Sequence, residues 1–259
     1  MSPVERRTMI HNRLLRDGKA SLTDLAAELG VSTMTIRRDM RFFVEQGIAT
    51  ISSGTVHLID GQMGSAFVQT NANTKSSDAS PQKQAIGREA ALTVADGETI
   101  IIDCGTTTAQ MLRFLGNKRL IIITNSIRVA EVAGTNANFR IIYAPGEYSP
   151  DSDGMVGPLT VDFFHTIRAD KAFIGAHGFD AQGGVNEPVL GDATAKRAML
   201  ESAGTTYLLA ESSKYGNVHL MALSKLSDFS CVITDDDFPA DRRGELEAAS
   251  NQVIYAHPE

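Results

Sequence analysis

Cysteine is nearly absent. Cys104 and Cys231 are the only two in 259 residues, and they stand far apart. No Cys-x-x-Cys or Cys/His spacing is present, which removes the common zinc modules from consideration. The expectation is no metal and no cofactor. The pair reads as two reduced, buried thiols in a reducing compartment. Long apolar runs are also missing. None reaches the ~18 residues that a membrane span needs. The opening MSPVERR is followed by no apolar segment of the kind a secretory signal carries. These absences predict a cytoplasmic protein with no membrane partner. Positive charge is in deficit too. A net charge of -7 speaks against a chain that coats nucleic acid along its whole surface.

That charge is unevenly placed. Residues 1-58 hold 8 Lys/Arg against 6 Asp/Glu, and the remainder holds 16 against 25. The basic part is a module rather than the whole protein. Within it the pattern predicts three helices and a hairpin over residues 3-58. Pro3 suits a first helical turn. Met9, Ile10, Leu14 and Leu15 then form one face, and Asp17-Gly18 ends the helix. Ser21 caps a second helix with Leu22, Leu25, Ala26 and Leu29 inward, closed by Gly30. Ser32 caps a third, whose stripe is Ile36, Met40, Phe43 and Val44, closed by Gly47. IATISSGTVHLI alternates loosely about Ser53-Gly54, as a short hairpin does.

The stretch SLTDLAAELGVSTMTIRRDM has the shape of a helix-turn-helix. In such a unit the second helix enters the major groove with its N-terminal residues at the base edges. Those are Ser32, Thr33, Met34 and Thr35. Arg37, Arg38 and Arg41 lie off the apolar stripe, where arginine forks to guanine or pairs with phosphate. The hairpin after Gly47 would be a wing. A three-helix bundle with a merely solvated basic face is the bland alternative.

Residues 60-82 are rich in Ser, Asn, Thr, Gly and Gln and read as a linker, with Phe67 and Val68 able to dock. Residues 83-259 alternate helices with near-continuous apolar strands, among them TIIIDC, LIIIT, FRIIYA, KAFIGA, TYLLAE, CVITD and QVIYA. That alternation predicts a mostly parallel sheet covered on both faces.

Such sheets bind ligands at the carboxyl ends of their strands. IIDCGTTTAQML runs from a strand through a Gly-Thr turn into a helix start. Free N–H groups at a helix start favour an anion, and Thr hydroxyls add donors. Asp103 would accept hydrogen bonds from ligand hydroxyls or merely hold the turn. Ser126 follows the next strand in the same way, Gly146 the third, and Gly175, His177 and Gly178 a later one. Lys214 adds a positive charge. Cys104 has no base near it in sequence and is discounted as a nucleophile.

Taken together, VSTMTIRRDM, LTDLAAEL, KQAIGREAA, IIDCGTTTAQML, IIITNSIRVA, YAPGEY, VGPL, ADKAFIGAHGFD, ESSKYG and VITD resemble, in order, the DeoR-type bacterial transcription regulators. The likeness covers nearly the whole chain outside the linker. It implies a small α+β winged helix-turn-helix joined to an α/β domain similar in fold to ribose-5-phosphate isomerase, which senses a phosphorylated sugar. It also implies effector-pocket residues at Lys83, Asp103, Gly105, Thr106, Thr107, Ser126, Gly146, Asp180 and Lys214, with Asp192 and Lys196 as weaker candidates. One departure concerns the wing: the family usually carries Arg followed by His-Gly-Gly-Ala, and this chain has Thr50-Ile51-Ser52-Ser53-Gly54-Thr55. The wing is therefore expected to add less to DNA affinity.

The expectation is a multi-domain regulator: residues 1-59 bind double-stranded operator DNA, 60-82 link, and 83-259 bind the effector and oligomerise as a dimer or tetramer. It would be a repressor of a carbohydrate-utilisation operon, with no catalytic residues. The alternative is an isomerase-like enzyme with Asp103, Asp180 or Glu187 as base.

Overall fold

A computed structural model gives the fold. It describes residues 6, 9–10, 13–14, 19–45, 49–52, 54–58 and 80–258, without the side chains of 41, 42, 45 and 58. The expectations for Pro3, Leu15, Asp17-Gly18, Gly47, Ser53 and linker residues 60–79 lie outside these. The chain divides into two compact units, residues 1–76 and 77–259.

The first unit contains β1 (Lys19–Ser21), α1 (Leu22–Leu29), α2 (Thr33–Glu45), β2 (Ala49–Ser52) and β3 (Thr55–Leu58). Ser21 caps α1 by accepting from the amides of Thr23 at 3.2 Å and Asp24 at 3.4 Å. Gly30 closes α1 with a φ of 64°, which returns the amide of Val31 to the carbonyl of Ala26. Ser32 caps α2 through the Thr35 amide at 3.2 Å. The core joins Ile10 and Leu14 to Leu22, Leu25, Leu29, Ile36, Met40 and Phe43. Met9 and Val44 face outward, against expectation. Each lies one residue, about 100° of helix, round from a neighbour that already fills the buried stripe. The hairpin is present, with Ser52 opposite Thr55. An unforeseen third strand joins it: β1 pairs antiparallel with β3, Lys19 opposite His57. Three residues leave no alternation to read.

The second unit is built on seven parallel strands. They are β4 (Thr99–Ile102), β5 (Leu120–Thr124), β6 (Phe139–Tyr143), β9 (Ala169–Gly175), β12 (Ala203–Leu209), β14 (Cys231–Asp235) and β15 (Val253–Ala256), in the order β15-β14-β12-β9-β4-β5-β6. The strands stay parallel, but the direction in which the strand order advances reverses between β4 and β9. From β4 the order runs outward through β5 and β6, and from β9 it runs the other way. A crevice opens at the carboxyl ends of strands at such a switch.

Strand residues alternate between two cores. Ile100, Ile102, Ile122, Phe173, Leu209 and Ile233 face one side, with Ile86 and Ala90 of α3 (Pro81–Leu92). Ile101, Ile123, Ile174, Leu208 and Val232 face the other, with Phe164 of α6 (Pro158–His165) and Met199 of α7 (Leu190–Glu201). Between these lie α4 (Thr106–Ala109), continued as a 3-10 turn to Phe114, and α5 (Ile127–Ala133). Burying both faces is why the strands read as unbroken apolar runs.

Three features went unforeseen. The polar loop after β6 is a hairpin, β7 (Glu147–Ser149) with β8 (Gly154–Val156). β10 (Gly178–Asp180), β11 (Gly184–Glu187) and β13 (Met221–Ser224) form a small antiparallel sheet. A helix, α8 (Arg243–Ala249), buries only Leu246 and so shows no stripe.

Candidate functional site

On the first unit, Ser32, Thr33, Met34, Arg37 and Arg38 lie exposed along one side of α2, and Thr35 is half-buried. The Arg41 side chain lies outside the described residues. Ser32 and Thr35 are engaged with each other at the cap. Asp39, the acidic residue within the Arg run, is turned inward: Arg6 Nε donates to its Oδ2 at 2.6 Å. The charge that would have offset Arg37 and Arg38 is thus neutralised inside the fold. Arg37 borders a shallow cavity with Leu22, Ile51 and Gly54, so it stands beside the tip of the hairpin. Thr50, Ile51 and Ser52 are exposed there, without a basic side chain.

On the second unit, Asp103 ends β4 with no exposed surface. Its Oδ1 accepts from Gly105 N at 2.8 Å and Thr108 Oγ1 at 2.6 Å, and its Oδ2 accepts from Gly175 N at 2.8 Å. The carboxylate therefore pins β4 to β9 and shapes the Gly-Thr turn. Of the two roles open to Asp103, the fold uses it for the turn. Room at Gly105 is tight: a Cβ there would lie 3.0 Å from Asp103 Oδ1 and 3.1 Å from Thr108 Oγ1. As the residue before α4 it offers no side-chain cap. Thr107 Oγ1 is buried and has no hydrogen-bond partner among the described residues.

Lys196, a weaker sequence candidate, sits at the centre. Its Nζ donates to Glu187 Oε1 at 2.7 Å and Gly175 O at 3.0 Å, and lies 3.4 Å from Asp103 Oδ2. Two hydrogen bonds and an ion pair to a second buried carboxylate hold it, so it organises the site rather than offering a free cation. Burial alone would lower its pKa, but the two carboxylates outweigh that and raise it. Glu187 is the counterpart. Burial pushes it up, yet the Lys196 charge and the His177 hydrogen bond at 2.5 Å hold its carboxyl at about 2. A carboxylate held that low is a feeble base at neutral pH. Burial drives the Cys104 thiol far upward, so it is no nucleophile.

Lys214 is different. Among the described residues its Nζ makes one hydrogen bond, to Ala176 O at 2.6 Å. Burial, helped by the charges of Lys196 and Lys83, lowers its pKa. Lys83 Nζ stands 3.8 Å from Glu211 Oε1, and Ser80 Oγ donates to Glu211 Oε2 at 3.3 Å. The structure thus gathers Asp103, Gly105, Thr106, Thr107, Lys83 and Lys214 round the switch point.

The remaining sequence candidates have structural work. Ser126 is buried and caps α5, accepting from Val129 N at 3.3 Å. Gly146 has a φ of 156°, and a Cβ would lie 2.1 Å from Thr160 Oγ1, so it lets α6 approach. Asp180 Oδ1 accepts from Gln182 N at 2.7 Å and Gly183 N at 2.5 Å, closing the β10–β11 hairpin. Among the described residues no hydrogen bond or ion pair ties it to Asp103. Sequence reasoning counted Thr108 only as one hydroxyl of the Gly-Thr turn, and gave Glu187 no role beyond a trial base. Only the i, i+4 spacing of Asp192 and Lys196 on one helix face was there to be seen. Among the described residues no cluster of His, Cys, Asp and Glu is set to hold a metal, and no helix is long and apolar enough to cross a membrane.

A helix-turn-helix unit carried on one chain with an α/β unit that gathers polar side chains at its switch point is the build of a transcription regulator with its own sensor. Family models place it further: residues 6–62 match the DeoR-like helix-turn-helix domain and residues 78–236 the DeoR C terminal sensor domain. The chain belongs to the DeoR family of transcriptional regulators. It is 32% identical to the uncharacterized HTH-type transcriptional regulator YgbI of Escherichia coli K12, over 98% of this chain and 95% of that one. It is 29% identical to the glycerol-3-phosphate regulon repressor of the same organism, over 91% and 92%. Ribose 5-phosphate isomerase A from Methanocaldococcus jannaschii aligns over 51% of this chain and 53% of its own at 20% identity and a TM-score of 0.38, a likeness too loose to argue from.

Proposed function

We propose that the protein is a repressor of a carbohydrate-utilisation operon, released from its operator when a phosphorylated sugar or related metabolite binds at the β4–β9 switch point. The observation that carries this reading is Lys214. It is a half-buried ammonium with one acceptor among the described residues, the carbonyl of Ala176, which follows the Gly175 amide held by Asp103; the helix that the Gly-Thr turn opens has no side-chain cap. Uncapped amides, a Thr107 hydroxyl without a partner among the described residues and a lysine with hydrogens to spare suit a phosphate better than a neutral ligand. The name of the glycerol-3-phosphate regulon repressor supports the repressor sense.

On the DNA side, Ser32, Thr33, Met34 and Thr35 approach the bases, while Arg37, Arg38 and Arg41 contact guanine or phosphate. Single winged modules bind weakly, so the active form is a homo-oligomer, dimer or tetramer, that spans two half-sites. For release, the effector must prefer the unbound form. A 10-fold preference corresponds to about 1.4 kcal/mol.

The test uses full-length protein and an operator selected from a random duplex library. Lys214→Ala is expected to keep its DNA affinity and to need at least 10-fold more sugar phosphate for release. Release at the wild-type concentration would sink the pocket assignment.

A further inference from the structure

The four residues at the start of α2 are not equally able to read a base. Ser32 and Thr35 use their hydroxyls on each other and on the helix. The two oxygens stand 2.9 Å apart, and Ser32 Oγ accepts from the Thr35 amide at 3.2 Å. Thr35 is also half-buried. Neither hydroxyl can turn to a base without giving up the cap that holds the helix start.

Met34 is the opposite case. It is 70% exposed, more than any other large apolar side chain among the described residues of the first unit. A lone exposed apolar residue is ordinary in itself. The place of this one is what informs. At about 100° per residue, the buried positions Ile36, Asp39, Met40 and Phe43 centre on one side of α2, and Met34 stands within about 20° of the opposite side. Arg38 lies about 40° round from it one way and Arg37 about 60° the other. Both arginines are exposed, and Arg37 borders the hairpin through the shallow cavity it shares with Ile51 and Gly54. Thr33 is exposed too, but it sits about 100° round from Met34. Met34 is thus the first-turn residue that projects farthest from the core, and it does so between two cations.

A helix in the major groove brings its N-terminal residues to the base edges. A thioether has no hydrogen to donate and accepts only weakly. Pressed against the polar edge of a guanine, adenine or cytosine, it would leave donors and acceptors unpaired. The apolar group that the major groove offers is the 5-methyl of thymine. An unbranched, polarizable side chain conforms to such a group.

We propose that Met34 is a specificity-determining residue of the DNA interface, packing its thioether against the 5-methyl group of one thymine in each operator half-site. This rests on the DNA reading above and narrows it: Met34 reads a methyl group between the contacts of Arg37 and Arg38, while Ser32 and Thr35 fix the start of the helix.

The experiment uses full-length protein and an operator selected from a random duplex library. Each thymine of one half-site is replaced in turn by deoxyuridine, which removes the methyl group and keeps every base-pairing group. Fluorescence anisotropy is expected to find one position where the change weakens wild-type binding about fourfold, the worth of one buried methyl group. Met34→Ala should bind the unmodified operator about 4- to 10-fold more weakly and show no deoxyuridine effect at that position. Its unfolding midpoint should match the wild-type chain, since the side chain lies outside the core. Arg37→Ala should weaken binding to every duplex and still show the fourfold effect. If no thymine gives the effect in the wild-type chain, or if Met34→Ala keeps it in full, the role of Met34 is overturned while the DNA reading stands. If the wild-type chain selects no duplex, both fall.

Discussion

Replacing Lys196 by Met would remove the one cation shared by Asp103 and Glu187. The Met side chain fills a similar volume, so the change is mainly electrostatic. Both carboxylates have no exposed surface, and breaking a buried pair by deleting one partner costs about 3–5 kcal/mol. For a unit of this size 1 kcal/mol shifts the midpoint by about 2–4 °C, so calorimetry should find the second unit melting roughly 6–20 °C lower at pH 7. The pH dependence identifies the cause. In the wild-type chain Glu187 titrates at about 2, against an ordinary value of 4.5. A depressed carboxylate contributes stability that is complete above the ordinary value and lost as pH falls through the folded one. Here that is on the order of 3 kcal/mol. Without Lys196, burial is opposed by His177 alone and the carboxyl rises. The deficit of the variant should therefore be full near neutral pH and shrink toward pH 4. Adding Glu187→Gln to Lys196→Met should restore part of the loss, a coupling that a double-mutant cycle measures directly. A loss equally large at pH 7 and pH 4, or no loss at all, would refute this account of the site.

Two other predictions concern the remaining parts of the molecule. Arg37→Ala and Arg38→Ala should each weaken operator binding, by about 1–3 kcal/mol where the side chain reads a base, while a lost phosphate contact lowers the slope of log affinity against log salt by about 0.9; fluorescence anisotropy at several salt concentrations separates the two, and unchanged affinity in both variants would remove α2 from the interface. Gly146→Ala places a methyl 2.1 Å from Thr160 Oγ1 and 2.6 Å from Val156 O at a φ of 156°, so denaturant unfolding should show a loss of at least about 2 kcal/mol, and a neutral result would mean that α6 moves away at little cost.

Much of this protein was determined locally, by the sequence alone. Ser21, Gly30 and Ser32 start and stop helices because a hydroxyl or a left-handed backbone satisfies amides and carbonyls a few residues away. Apolar runs such as LIIIT became strands buried on both faces because nothing else covers such a run. The Gly-Thr turn was legible for the same reason, since Asp103, Gly105 and Thr108 complete it among themselves. Short strands were not legible: three residues of β1, β7 or β8 carry no period, and only their partners make them strands. Partner choice also made the site. The sequence named Asp103 and ranked Lys196 low, but placing β9 beside β4 brought Gly175 to the Asp103 carboxylate from 72 residues away. The same placement let Lys196 reach Glu187 and Asp103 at once. Long-range pairing is decided by how the whole chain buries its apolar surface, so only the tertiary structure could distinguish the lysine locked between two carboxylates from Lys214, whose ammonium has hydrogens to give.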